Sequence, residues 1–219
     1  MGCAQLPVML TPTVVLAFAL AADAAAGWQT VATGQITIKT RSLAGSPIRE
    51  VLAEGDLDAS AVDIQKAVLD VERFPRFMPY VKEARFVVKP TGDGTRIVYT
   101  SLGLPVVMGR DFVIVDRLVK SLNADGTGEF ITEWQVAKDR IPARSGFVRV
   151  NTNTGSWKVA PREGGKSHVV YQFAVDPGGG IPPFLADLGN RNGVGDVFRA
   201  LEKEAQRLRA DRAATSKPD

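Results

Sequence analysis

The chain of 219 residues has one cysteine, Cys3, and one histidine, His168. A zinc site of ordinary nitrogen and sulfur ligands needs several such side chains, so none can be assembled. A single thiol cannot close an internal disulfide. Scattered carboxylates could hold calcium, but no EF-hand loop pattern occurs, and no cofactor is implied. His168 follows Ser167, and neighbours in an extended segment point to opposite faces, so the two do not form a nucleophile–base pair. A lone strand histidine reads as a surface or internally satisfied residue. Repeats, low-complexity tracts and long blocks of like charge are all missing. Lys and Arg number 27 against 24 Asp and Glu, a net charge of +3. That bias is compatible with an anionic lipid surface and too weak to argue for nucleic acid.

Nucleotide binding is also excluded. Gly178-Gly179-Gly180 precedes Ile181-Pro182-Pro183, and prolines remove amide donors where a phosphate loop would need them. Gly193-Val194-Gly195 lacks the third glycine of a dinucleotide fingerprint and follows no strand.

The first 26 residues lack Lys and Arg, and Asp23 is their one charged side chain. An apolar run over residues 13–20 leads to Ala24-Ala25-Ala26, small residues of the kind read by a signal peptidase. Residues 1–26 therefore read as a signal peptide without the usual positive start. The alternative is a short buried or disordered leader. The run is too short for a lasting transmembrane anchor. Cys3 is badly placed for lipidation after cleavage, and Leu6 stands where myristoylation wants Ser or Thr. Cleavage after Ala26 would leave 27 basic and 23 acidic residues, a charge of +4. An exported protein, periplasmic or extracellular, is expected.

Residues 35–40 alternate apolar and polar, and residues 50–57 read as a second strand. Ser60 offers an N-cap for a short helix over residues 61–70, which Pro75 and Pro79 prevent from continuing. Strands follow at 84–89 and 95–102 around a Gly92-Asp93-Gly94 turn, then at 110–122, 129–137, 146–151, 156–160 and 167–175. Eight or nine strands joined by short turns predict an antiparallel meander. Val194, Val197, Phe198, Leu201, Ala205 and Leu208 trace one apolar stripe on a C-terminal helix of about five turns. That stripe needs a broad apolar surface, and the sheet is the one available. The fold class is α+β, with a long C-terminal helix gripped by a curved antiparallel sheet. Residues 27–212 form one domain, residues 213–219 a disordered tail, and a monomer is expected.

Four stretches carry a family likeness: residues 70–79, with the run Phe74-Pro75-Arg76-Phe77-Met78-Pro79; Gly109-Arg110-Asp111-Phe112-Val113; Gly155-Ser156-Trp157-Lys158-Val159-Ala160-Pro161; and residues 171–182 leading to the terminal helix. In this order they resemble the START family, the steroidogenic acute regulatory-related lipid-transfer domains of the helix-grip superfamily. The resemblance implies a cavity between sheet and helix that holds one lipid, covered by the loop before Arg110 and the start of the terminal helix. It also implies transient contact with a membrane.

The residues fit that picture. Tyr171 and Phe173 share one strand face, as do Phe130 and Trp134 on an earlier strand. The loop Leu104-Pro105-Val106-Val107-Met108 is apolar where a connection ought to face water. With Gly178, Gly179 and Gly180 it reads as a gate; a plain structural turn is the competing reading of the glycines. In the family an arginine at the position of Arg110 can meet a ligand's polar group or a carboxylate on a neighbouring strand. Here the preceding strand offers Tyr99 and Ser101 instead, leaving Glu133 or Asp111 as substitute partners. Arg110 as a structural or surface ion pair stays open. The expected ligand-binding set is Tyr99, Ser101, Met108, Arg110, Phe112, Phe130, Trp134, Tyr171, Phe173, Phe184, Leu188 and Phe198, with no catalytic residue. The competing functions are a helix-grip enzyme such as a polyketide cyclase or hydrolase-like relative, using Asp111, Glu133, Tyr99 and Tyr171 as acid/base groups, and a binding module that does not transfer its ligand.

Overall fold

Ten β-strands and three helices make up the computed structural model, which describes residues 27–46, 48–104, 107–138, 140–178 and 193–215. The strands are β1 (Gln29–Ala32), β2 (Ile36–Ser42), β3 (Arg49–Leu57), β4 (Val81–Val88), β5 (Thr95–Leu102), β6 (Gly109–Lys120), β7 (Phe130–Val136), β8 (Phe147–Arg149), β9 (Thr152–Arg162) and β10 (Lys166–Asp176). The helices are α1 (Ala61–Leu69), α2 (Phe74–Phe77) and α3 (Val194–Thr215). All ten strands join one sheet in the order β1-β2-β3-β10-β9-β7-β6-β5-β4, with β8 paired to β6 off that path. The architecture is the expected α+β helix-grip fold, a curved sheet holding the C-terminal helix.

Three details differ from the simple meander. β1 was not legible, because four residues are too few to show a period. The segment around residues 146–151 does not extend the antiparallel series: β8 runs parallel to the start of β6. β3 pairs with β10, so the N-terminal strands are joined to the last strand of the chain. α3 also runs on through residues 213–215, where a disordered tail was expected; residues 216–219 lie outside the described part.

α1 begins where Ser60 Oγ accepts the backbone N–H of Asp63 at 3.2 Å, which satisfies one of the orphan donors of a first turn. Its buried Ile64, Ala67 and Val68 join Val51, Ala53, Leu57, Phe130, Val159 and Val169 of the sheet and Val194, Phe198, Leu201 and Ala205 of α3 in one core cluster. Each large apolar side chain sealed there contributes about 1.5–3 kcal/mol.

The two halves of α3 are held by different forces. Val194, Phe198 and Leu201 make apolar contacts. Among the described residues, every polar bond from α3 to another element starts at residue 202 or beyond. Glu202 Oε1 accepts Asp58 N–H at 2.6 Å, and Gln206 Nε2 donates to Asp58 O at 2.9 Å. Buried Glu204 accepts from Arg73 Nε at 3.0 Å and Arg207 Nη2 at 2.7 Å. Arg212 forks onto both oxygens of buried Asp63 at 2.7 and 2.8 Å.

Hydrogen bonds from Arg207, then Arg73, hold the Glu204 carboxyl below the usual carboxylate range against the opposing effect of burial. A carboxyl whose pKa is lower folded than unfolded adds stability above its unfolded pKa, and that stability is lost as pH falls through the folded value. Glu204→Gln is therefore expected to be less stable than wild type in urea at neutral pH. The gap should close as pH is taken below about 4.

Candidate ligand-binding face

Residues directly opposed across antiparallel strands share a face. Phe173 opposes Gly155, Gly155 opposes Trp134, Trp134 opposes Asp116, and Asp116 opposes Arg96. This row crosses five strands on the face that meets α3, because Trp157, two residues from Gly155, places its ring 6.2 Å from that of Phe198. A Cβ on Gly155 would stand 2.3 Å from Trp134 Cζ2 and 2.5 Å from the backbone oxygen of Gln172. Glycine is what lets the Trp134 ring lie across β9. The Trp134 indole donates to Asn153 Oδ1 at 2.8 Å, so its polar edge is satisfied. Tyr171 stacks on Trp157 at 3.9 Å between centroids and 10° between planes, with Phe173 at 4.7 Å and Trp134 at 6.0 Å.

Beyond that aromatic group the same face stays apolar. Phe86, Leu102, Phe112, Ile114, Val136 and Val175 share it by register. All six are half-buried, and none belongs to either cluster of packed side chains. They form an apolar strip that α3 does not seal among the described residues.

Most polar side chains on this face have hydrogen-bond partners within the protein. Arg96, opposite Asp116, donates to its Oδ2 from Nε at 2.9 Å and Nη2 at 2.6 Å, and from Nη1 to Leu69 O at 3.1 Å. Thr132 Oγ1 donates to the other Asp116 oxygen. Arg110 is 2% exposed. Its guanidinium donates to three backbone carbonyls: Met108, Pro177 at 3.3 Å and Gly178 at 3.2 Å. Arg110 thus ties the start of β6 to the turn after β10, where Gly178 has φ +58°.

Several expected site residues are corrected. Tyr99 and Ser101 stand one register step from the inner row, on the opposite face; Tyr99 packs with Ile97, Val113 and Ala137 in the second core cluster. Neither substitute carboxylate reaches Arg110. Asp111 is fully buried on the outer face and takes Arg149 Nε at 2.8 Å and Nη2 at 3.0 Å, while Glu133 opposes Ser156 on the solvent side. The four acid/base candidates of the enzyme reading therefore do not converge, because Tyr171 faces inward and the other three outward. Phe130 and Phe198 are sealed in the core, and Met108 is 58% exposed. Trp134, Tyr171, Phe173, Phe112 and Arg110 share the inner face. Leu104 and Val107 are half-buried; Pro105, Val106, Gly179, Gly180, Phe184 and Leu188 lie outside the described residues. His168 faces Asp56 across the strand pair at 2.8 Å, and Ser167 donates to Ala59 O at 2.6 Å on the other face. No metal-ligating cluster occurs among the described residues.

The Arg96–Asp116 pair was missed. The signal was available: a hairpin that pairs Leu102 with Arg110 also pairs Arg96 with Asp116. A concavity of about 330 Å³ opens among Glu50, Glu133, Ser156, Lys158 and Gln172, but these polar side chains face solvent and do not suit an apolar ligand.

Comparison with known proteins fits this geometry. A family model described as START domain matches residues 15–211. A solved fragment of a STAR-related lipid transfer protein from Xanthomonas axonopodis is 27% identical and superposes with a TM-score of 0.71, covering 82% of this chain and 99% of that one. An uncharacterized protein of Pseudomonas aeruginosa is 28% identical over 153 residues, 69% of this chain and 73% of its own. The phosphatidylcholine transfer protein of Rattus norvegicus is 25% identical over 140 residues, 63% of this chain and 64% of its own length.

Removing one partner of a buried ion pair leaves the other charge uncompensated, at a cost of about 3–5 kcal/mol. Arg96→Met is expected to lower the unfolding free energy by about that amount in urea denaturation. Restoring neutrality with Asp116→Asn in the same chain should recover part of the loss.

Proposed function

The chain belongs to the START domain family, and from that premise we propose that it carries one lipid against the concave face of its sheet and passes it between membranes without covalent chemistry. The unsealed strip of Phe86, Leu102, Phe112, Ile114, Val136 and Val175 carries this reading. A sterol or an acyl lipid would supply the apolar surface that strip lacks. Exposing each lipid CH₂ to water costs about 0.8 kcal/mol, so a chain of about 16 carbons costs on the order of 13 kcal/mol. A carrier offsets that cost with an apolar interior. The names of the Xanthomonas and rat proteins, both lipid transfer proteins, support the same class of cargo.

Transfer also requires opening. Exposed Met108 with half-buried Leu104 and Val107 gives the β5–β6 connection an apolar tip suited to transient contact with a bilayer. Arg110 lies directly behind that tip and grips the carbonyls of Pro177 and Gly178. It therefore acts as the latch of the gate, a different role from the ligand contact first expected of it. The protein works as a monomer. Residues 1–26 direct export to the periplasm or exterior and are removed there. Among the described residues no helix is long and apolar enough to cross a membrane.

Native mass spectrometry of the purified protein is expected to find one bound lipid per chain; a protein that stays empty after incubation with mixed vesicles would refute the carrier reading. Arg110→Leu is expected to speed vesicle-to-vesicle transfer of a fluorescent lipid severalfold, and an unchanged rate would remove Arg110 as the latch. N-terminal sequencing of protein recovered from the exported fraction should begin at Gly27.

A further inference from the structure

We infer that the Tyr171 hydroxyl is the polar contact for the bound molecule, and that it selects a neutral oxygen function, an ester carbonyl or a hydroxyl, on an otherwise apolar ligand. This rests on the lipid-carrier reading and narrows it. Across β5 to β10 the inner face holds few polar side chains, and most are already committed. Arg96, Asp116 and Thr132 bond one another, Trp134 bonds Asn153, and Arg110 spends its donors on three carbonyls. Two hydroxyls remain without a hydrogen bond among the described residues, those of Thr100 and Tyr171. Thr100 is only 4% exposed, whereas Tyr171 is half-buried and so still open to a small neighbour.

The Tyr171 ring is fixed by its stack on Trp157 and by Phe173 and Trp134. Its hydroxyl is consequently held in place beside apolar rings, accessible and without a hydrogen bond to a described residue, so it is free to bond a ligand oxygen that displaces water there. Burial alone pushes the phenol well above its ordinary pKa, so at neutral pH it remains a protonated donor that can also accept. The inner-face charges argue against an anionic partner. Asp116 already compensates Arg96, and Arg110 is held at Pro177 and Gly178, six and seven residues along the chain from Tyr171, so among the described residues of this face a carboxylate placed at Tyr171 would be a charge with no cation beside it. An ester carbonyl can accept the Tyr171 proton at no such cost, and a hydroxyl can accept or donate.

Three probes of one chain length separate these possibilities: methyl palmitate, palmitate and hexadecane, each titrated into full-length protein and followed by tryptophan fluorescence. Wild type is expected to bind methyl palmitate about tenfold more tightly than hexadecane, the value of one hydrogen bond of about 1.4 kcal/mol, with palmitate weaker than the ester. Tyr171→Phe keeps the ring stack, and it should abolish the preference while leaving hexadecane unchanged. In wild type, the Tyr171 ¹³Cζ resonance should move on adding methyl palmitate and stay put with hexadecane; this readout does not depend on the variant folding. A preference that survives in Tyr171→Phe, a ¹³Cζ resonance indifferent to the ester, or palmitate binding tightest would each overturn the assignment. Equal uptake of all three probes by both proteins would sink Tyr171 and spare the carrier; folded wild type taking up none of them would sink both.

Discussion

Strands in a sheet lie about 4.8 Å apart, and a helix with its side chains is about 10–12 Å across. Nine strands in one continuous path therefore present a face roughly 40 Å wide, and a single long helix cannot cover it. Curvature brings β3, β9 and β10 onto α3, with Trp157 against Phe198 at the junction. The far side of the face, β4 and β5 with Phe112 and Ile114 of β6 and Val136 of β7, keeps its apolar side chains out of that contact. The rest of the molecule's chemistry is arranged around this mismatch of widths.

An uncovered apolar face is useful only if it does not also display unmet hydrogen-bonding groups. The protein deals with this by local pairing: Arg96 with Asp116 in direct register, the Trp134 indole with Asn153, and Arg110 with backbone oxygens. Such pairs contribute little net stability and are costly to break. Their effect is to leave a surface that is apolar, shaped by aromatic rings and sparing in open hydrogen-bonding groups, which is where selectivity for a greasy ligand arises.

Much of the fold was legible because it is periodic. The stripe from Val194 to Leu208 reads as a helix at a glance, and the Gly92–Gly94 turn separates two strands that do pair. Facing was harder. A shift of one residue flips a strand side chain to the other surface, and this placed Tyr99 and Ser101 on the wrong side although their strand was right. Arg110 illustrates a second limit. The sequence draws attention to carboxylate side chains, whereas the partners of Arg110 are carbonyl oxygens that belong to every residue and mark none. β8 shows a third: its parallel pairing with β6 joins segments nearly forty residues apart in the chain and has no local pattern.

The division of labour along α3 has a mechanical consequence. Charge-assisted hydrogen bonds are directional and fix both distance and angle, while apolar contacts tolerate sliding. The helix is thus a lever with its fulcrum near Glu204, bolted to Arg73, Asp58 and Asp63 on one side and merely resting on the sheet on the other. Ten residues of helix rise about 15 Å, so a rotation of about 15° about that fulcrum carries the Val194 end through about 4 Å. That is close to the spacing between two strands, and a bend of the helix at the fulcrum, which leaves the bolted arm in place, reaches it with the described inter-element polar bonds intact.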